Sequence, residues 1–456
     1  MRRIFLNAFT MNGVVHQSPG LWTRPENRTT EYKSLDYWID LAQLLERGCF
    51  DAMFIADSVG INDNYLGNRD AAVRRAAHIP IADPMLLIPT MAHATKHLGF
   101  GFTSSILQYN PFMFARLVST MDHLTGGRVA WNIVTSYLDS AARHLGLDGL
   151  VAHDERYEMA DEYCEVCYKL WEGCWADDAV IRDVDKGIYA DPSKVLDIDH
   201  DGKYFRTHGC HLVEPSPQRT PVLFQAGASP RGQAFAAEHA ECVFLIGSTP
   251  EVVGGYAKSI RDAAEARGRS PQDVICYAYM KVITGDSDAD AQRKYDDYQN
   301  DTDYESTMVM MSGWSGIDFG QYEPDMPVTD VETNSLRTFL KGIMDSDPER
   351  EWRMRDIADF VSIGGAGPVL VGGPERIADE FERWVAAGVD GFNLAYAVSP
   401  GSFENFIDGV VPILQKRGRM QTGYAPGTLR EKLYGPGRAR LGAPHPAATA
   451  RERLPR

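Results

Sequence analysis

Long apolar runs are missing from this sequence. No stretch approaches the roughly 18 consecutive apolar residues that a membrane-spanning helix needs, so no membrane span is expected. The N-terminal Met-Arg-Arg-Ile-Phe-Leu-Asn-Ala-Phe begins basic but turns polar too soon for a signal peptide; it reads as a first strand of a cytoplasmic protein. Cysteine is sparse as well. The seven are odd in number and scattered, which suggests reduced thiols rather than a disulfide framework. Cys164-x-x-Cys167 with Cys174 invites a metal reading, yet no second pair stands at ligand spacing, so buried inert thiols and no metal are expected. His93-x-x-x-His97 lacks an acidic or thiol partner in the same way. Positive charge is in the minority: 46 Lys and Arg against 63 Asp and Glu give a net charge of −17. That balance argues against nucleic acid or an anionic membrane as a general partner. Three chemical signatures are also absent. There is no G-x-S-x-G elbow, no Walker A loop, and no G-x-G-x-x-G after the first strand, which weakens lipase-type hydrolysis, P-loop phosphoryl transfer and a doubly wound dinucleotide fold.

What is present is a repeating alternation of apolar strands and amphipathic helices over 456 residues. Strands are read at 3–9, 50–57, 98–105, 128–135, 221–227, 241–247, 274–285 and 391–396. They are nearly continuous in apolar residues, as in a parallel sheet covered on both faces. Several end in polar residues, among them Asn7, Asp57, Thr103 and Thr135. An α/β (β/α)₈ TIM barrel delivers such residues to a site at the C-terminal ends of its strands. One barrel domain, 1–418, is expected, with insertions at about 173–220, after strand four, and 299–366, after strand seven. The first insertion should hold a hairpin around Asp-Gly-Lys-Tyr-Phe-Arg. In the second, Met308, Met310, Met311 and Trp314 read as core packing or as a lid over an apolar substrate. Gly-Pro-Val-Leu-Val-Gly-Gly-Pro reads as a loop leading into a helix. The last segment, 419–456, carries eight Lys and Arg against two Glu and is rich in Pro and Gly. It is expected to be an extended tail, frayed or wrapped on a neighbouring subunit.

Two constellations bear on chemistry. Ser229-Pro230-Arg231-Gly232 follows a strand directly and opens a helix, so its backbone N–H groups could take a phosphate; an ordinary capped helix has the same pattern. His153, Asp154, Arg156 and Tyr157 open another helix. The acids suit the helix dipole, while His153 and Tyr157 share a face and could both reach a ligand. The residues themselves leave structure and function open at both places.

Longer motifs narrow the choice. Gly-Arg-Val-Ala-Trp-Asn-Ile-Val-Thr-Ser-Tyr, then His-Asp-Glu-Arg-Tyr-Glu-Met-Ala-Asp-Glu-Tyr, resembles the bacterial-luciferase-like flavin monooxygenases. So do Phe-Asp-Ala-Met-Phe-Ile-Ala-Asp, Glu-Pro-Ser-Pro-Gln-Arg-Thr-Pro-Val-Leu-Phe-Gln-Ala-Gly-Ala-Ser-Pro-Arg-Gly and Asp-Gly-Phe-Asn-Leu-Ala-Tyr-Ala-Val-Ser-Pro-Gly-Ser. Their branch is that of nitrilotriacetate, dibenzothiophene-sulfone and long-chain-alkane monooxygenases. Within it, Ser-Gly-Ile-Asp-Phe and Val-Ile-Thr-Gly-Asp-Ser-Asp-Ala-Asp-Ala are similar to the dimethyl-sulfide-oxidising members.

The resemblance implies a barrel with insertions, O₂, and FMN as FMNH₂ supplied by a separate NAD(P)H:FMN reductase. It also implies a homodimer or homotetramer acting on a small-molecule substrate. Flavin contacts would be Asp57, Thr103, Ser136, His153, Tyr157, Ala226, Gly227 and Ser229, with the phosphate at Ser229 and Tyr157. His16, His78 and Tyr137 would be catalytic, and Phe9, Gly13, Asn62 and Met310 would line the substrate pocket. Alkane-type members carry Cys, Tyr, Gln and His where this chain has Gly13, Asn62, His78 and Met310, and a His in place of Tyr137. A re-cut pocket is therefore expected, with Gly13 opening room. An organosulfur compound such as dimethyl sulfide, cleaved at C–S, is the leading substrate. An alkane, sulfone, N-heterocycle or aminopolycarboxylate is the alternative, and a deazaflavin-dependent dehydrogenase or a flavin-binding protein the rival class.

Overall fold

The computed structural model describes residues 3–227, 229–330, 349–365 and 367–454, with Leu340 and Met344 besides. Eight parallel strands close on themselves. They are β1 (Phe5–Met11), β2 (Ala52–Ala56), β3 (Gly99–Ser105), β4 (Val129–Val134), β5 (Val222–Gln225), β6 (Cys242–Leu245), β7 (Ile275–Thr284) and β8 (Gly391–Ala395). Each pairs with the next, and β8 returns to β1 with Phe5 opposite Gly391. The (β/α)₈ barrel is thus as expected, with its insertions after β4 and β7.

Alternation along the strands sorts the core into two layers. Inward residues, including Phe5, Phe9, Phe54, Phe224, Phe244, Tyr277 and Tyr279, fill the barrel as one aromatic-rich cluster. Outward residues such as Leu6, Ile55, Trp131 and Val243 pack under the helices in a larger one. Among the described residues no helix is long and apolar enough to cross a membrane.

Three features differ from the sequence reading. Val369–Gly372, expected to be loop, is a ninth strand beside the second half of β7, with Lys281 opposite Val369. Its four apolar residues are bracketed by Gly and Pro on both sides, and those turn formers hide so short a strand. The tail after 418 is not extended. Its helix Leu429–Tyr434 inserts Leu429 and Leu433 into the floor of the barrel, where a Cβ on Gly99 would stand 2.6 Å from Leu429 Cδ1. Arg430 is buried beneath the floor, its Nε 2.7 Å from Glu241 Oε1, and it donates to the carbonyls of Thr220 and Pro221 at 2.9 Å. Lys432 donates to the His97 carbonyl at 2.7 Å. The basic residues of the tail thus answer carbonyls and acids of their own barrel. The third difference is at Gly13: a Cβ there would stand 2.7 Å from the Pro80 carbonyl oxygen. The missing side chain lets the loops after β1 and β2 touch, so it does not open room.

The first insertion forms two antiparallel hairpins, one of them Ile198–Asp201 with Arg206–Gly209 around the expected turn. The second carries the helices Tyr304–Ser315 and Met354–Gly364. Met308 and Met311 pack with Phe319, Trp352 and Ile357 inside it. Met310 faces the other way, onto Val15, Ile61 and Ala72 from the loops after β1 and β2. The helix Tyr304–Ser315 is therefore glued to the rim of the barrel mouth.

Candidate active site

A cavity of about 340 Å³ opens at the C-terminal ends of β2 to β5. Its walls include Asp57, Gln108, Ser136, Tyr137, His153, Tyr157 and Ala226. Six of the residues singled out in the sequence are thereby brought together. Thr103 lies one layer down, where its Oγ1 accepts from Asn132 Nδ2 at 3.0 Å. Phe9 and His16 are buried outside this cavity, their rings 4.4 Å apart edge to face. A second chamber of about 440 Å³ shares Asp57, Ser58, Val59 and Gln108 with the first and is lined by His78. Gly13, Asn62 and Met310 line neither chamber; Asn62 is buried against Gly313 of the insertion helix, and Met310 in the rim cluster.

One end of the first cavity is a cradle. Ser229 caps the helix Pro230–His239, its Oγ accepting from Gly232 N at 3.0 Å. Tyr157, on the first turn of the helix His153–Gly173, brings its hydroxyl to the same spot, 3.5 Å from Gln225 Nε2. The His153 Nε2 is 3.5 Å from Ser229 Oγ. Cβ atoms added to Gly227 and Gly232 would come within 2.9 and 2.8 Å of the Tyr157 hydroxyl. Two glycines thus keep a space open that a helix N-terminus, two hydroxyls and an imidazole surround. That donor set suits a phosphate monoester such as that of FMN. Burial pushes the Tyr157 phenol up, against hydrogen bonds to Ser229 and Gln225, so it stays a donor. Arg156 is the only cation among the described residues lining the cavity, and it stands at this end.

The other end carries the ring-sized wall. Ser136, at the end of β4, has φ +62° and donates to Ser105 Oγ at 2.9 Å. A left-handed serine in a strand-end loop is strained backbone, of the kind found where a side chain must be aimed. Gln108 is held by Ser104 and Ser105 and donates to Asp57 Oδ2 at 3.3 Å. Burial raises the Asp57 carboxyl to about 6; the Gln108 bond opposes this and the charge of Asp83 adds to it. Tyr137 is 51% exposed and reaches over the cavity from the β4 loop.

The two histidines are linked. His78, also left-handed at φ +56°, places Nε2 2.8 Å from the His16 carbonyl. A carbonyl can only accept, so Nε2 carries the proton and Nδ1 the lone pair. His16 is buried, and its ring makes no side-chain hydrogen bond among the described residues. Burial drives its pKa far down, helped by His78 and Lys281 and weakly opposed by the Phe9 carbonyl; burial lowers His78 too. Both rings are therefore neutral near pH 7.

Sequence reasoning missed Gln108, Lys281 and Tyr279. Gln108 follows a strand by three residues, where a polar loop residue gives no signal. Lys281 does give one, a cation inside an otherwise apolar strand. Cys164, Cys167 and Cys174 are buried thiols, and no group of three metal-ligating side chains occurs among the described residues.

Comparison with known proteins supplies the context. The model of the luciferase-like monooxygenase family matches residues 17–391. The chain is 52% identical over 452 residues to dimethyl-sulfide monooxygenase of Hyphomicrobium sulfonivorans, covering 99% of this chain and 94% of that one. The solved structure of DmoA from that organism superposes with a TM-score of 0.94, covering 99% and 96% of the two chains. Long-chain alkane monooxygenase of Geobacillus thermodenitrificans is 46% identical over 451 residues, 99% and 98% of the chains. A riboflavin lyase solved with modified FMN and riboflavin is 34% identical with a TM-score of 0.89, over 98% and 99%.

Proposed function

This chain belongs to the luciferase-like monooxygenases, and from that premise we propose that it uses FMNH₂ and O₂ to oxygenate a small thioether and cleave its C–S bond. It is an oxidoreductase of the flavin-dependent, oxygen-incorporating kind. The observation that carries the finer reading is the glycine-lined cradle at one end of the cavity that opens at the C-terminal ends of β2 to β5. In this reading Ser229, Tyr157, Gly227 and His153 hold the FMN phosphate, and Asp57, Ser136, Ala226 and Thr103 border the ring. Bound reduced flavin supplies the electrons and the activated oxygen. The chain's own task is to position the ring, exclude water and manage protons.

The substrate side is read as apolar, and the cation nearest it, Lys281, has its hydrogens turned to Gln17, Ser18 and Ile363. Phe9, Phe54, Phe244 and Tyr279 line the barrel interior, and the cavity's one described cation stands at the phosphate end. An anionic chelate would leave its carboxylates unpaired there. A neutral thioether fits, as does the 52% identity to dimethyl-sulfide monooxygenase. We assign neutral His16 to hydrogen-bond the reacting oxygen, and Tyr137 can donate to it from above. For dimethyl sulfide the balance is (CH₃)₂S + O₂ + FMNH₂ → CH₃SH + HCHO + H₂O + FMN. Reoxidised FMN must be reduced again, and a separate NAD(P)H:FMN reductase is the proposed source.

A coupled assay with such a reductase, NADH, FMN and O₂ tests the reading across dimethyl sulfide, a long-chain alkane and a sulfone. Methanethiol release with dimethyl sulfide is the expected result. An alkane or sulfone turned over while dimethyl sulfide stays intact would overturn the assigned substrate.

A further inference from the structure

Lys281 stands in the second half of β7, two residues after the inward-facing Tyr279, and has no accessible surface. Its Nζ meets three oxygens: the Gln17 carbonyl at 2.9 Å, Ser18 Oγ at 2.6 Å, and the Ile363 carbonyl. Ser18 Oγ gives its own proton to the Tyr396 carbonyl at 3.2 Å, so toward Lys281 it accepts. Three acceptors require three N–H bonds, and only the ammonium has three. Burial opposes that charge. The Ile363 carbonyl supports it, because it belongs to the last turn of the helix Met354–Gly364, where the dipole favours a cation.

These three acceptors come from two separate walls of the barrel mouth. Gln17 and Ser18 directly follow His16. Ile363 lies in the last turn of the last helix of the second insertion, and Tyr279 donates to the next carbonyl, Gly364, at 2.9 Å. The walls also touch each other: Gly365 has φ +61°, and a Cβ there would stand 2.2 Å from Gln17 Oε1. All of the ammonium's hydrogens are committed, so Lys281 has none left for a substrate.

We propose that Lys281 is a positioning residue that locks the His16 loop to the closing turn of the second insertion, so that both walls of the barrel mouth move as one body. The consequence for turnover rests on the monooxygenase reading. A loosened His16 loop would admit water, and reducing equivalents would leave as hydrogen peroxide instead of product.

Hydrogen exchange on the full-length, flavin-free protein reads the lock without reference to activity. In Lys281→Met, amide exchange in 12–20 and in 354–365 should rise together by about tenfold or more, with β2 to β4 unchanged. Ser18→Ala, a milder change, should loosen both segments less. Tyr279→Phe should loosen 354–365 while leaving 12–20 as in the wild type. In the coupled assay Lys281→Met should retain FMN affinity within about twofold while peroxide per NADH rises severalfold. Unchanged exchange in both segments, or an equal rise throughout the barrel, would overturn the proposal. Should Lys281→Met not fold, the contrast between Ser18→Ala and Tyr279→Phe decides alone. If no substrate is turned over at all, the exchange result still stands.

Discussion

Asp57 is the residue whose ionisation the cavity perturbs most usefully. Its carboxyl is raised from 3.8 to about 6, chiefly by burial. Between those values the folded protein binds more protons than the unfolded chain, so stability from this group falls as pH rises from about 4 through about 6. Asp57→Asn should therefore melt higher than the wild type at pH 7, with the gap closing toward pH 4. Thermal melts of both proteins across that range check the sign, and a gap that does not vary with pH would contradict it. At the cradle, Tyr157→Phe removes one hydroxyl. A hydrogen bond to a charged phosphate is worth roughly 1.5–3 kcal/mol, so FMN affinity should fall by about tenfold or more. Riboflavin, which has no phosphate, should bind the mutant as it binds the wild type. Equal losses for both ligands in a titration would place the phosphate elsewhere.

At the scale of elements, the tail helix Leu429–Tyr434 closes the barrel floor. Arg430 and Glu241 form a buried ion pair, and removing one partner leaves the other charged and unpaired. Arg430→Ala should cost about 3–5 kcal/mol of stability, read from urea unfolding, while the site at the opposite end keeps its flavin affinity. A loss under about 1 kcal/mol would mean that the floor is sealed by Leu429 and Leu433 alone. This element shows where the sequence reading ran short. Its Pro, Gly and Arg content resembles an extended arm, because composition cannot say that Glu241, which pairs with Arg430, and the His97 carbonyl, which takes Lys432, lie 189 and 335 residues away in the chain. The strands were legible because continuous apolar runs ending in polar residues mark a covered parallel sheet. Ser229, Tyr157 and His153 were legible as residue types at helix starts, but their convergence is a tertiary fact. Gly13 was misread for a related reason: whether a missing side chain opens a pocket or admits a neighbouring loop depends on what faces it.

The whole molecule divides its labour along the barrel axis. The floor is plugged by the tail, the interior is filled with aromatic rings, and the mouth carries the glycine-lined cradle of Ser229 and Tyr157 and the loop of His16. Lys281 ties that loop to the second insertion. On the proposed reading a flavin is anchored by its phosphate at the cradle while its reactive edge faces the barrel mouth. The most direct test omits the reductase altogether. Protein loaded anaerobically with FMNH₂ and dimethyl sulfide is mixed with O₂, and methanethiol, formaldehyde and hydrogen peroxide are quantified after a single turnover. The account predicts methanethiol and formaldehyde in equal amounts, approaching one of each per FMNH₂. Full recovery of dimethyl sulfide, with the reducing equivalents appearing as hydrogen peroxide, would contradict it.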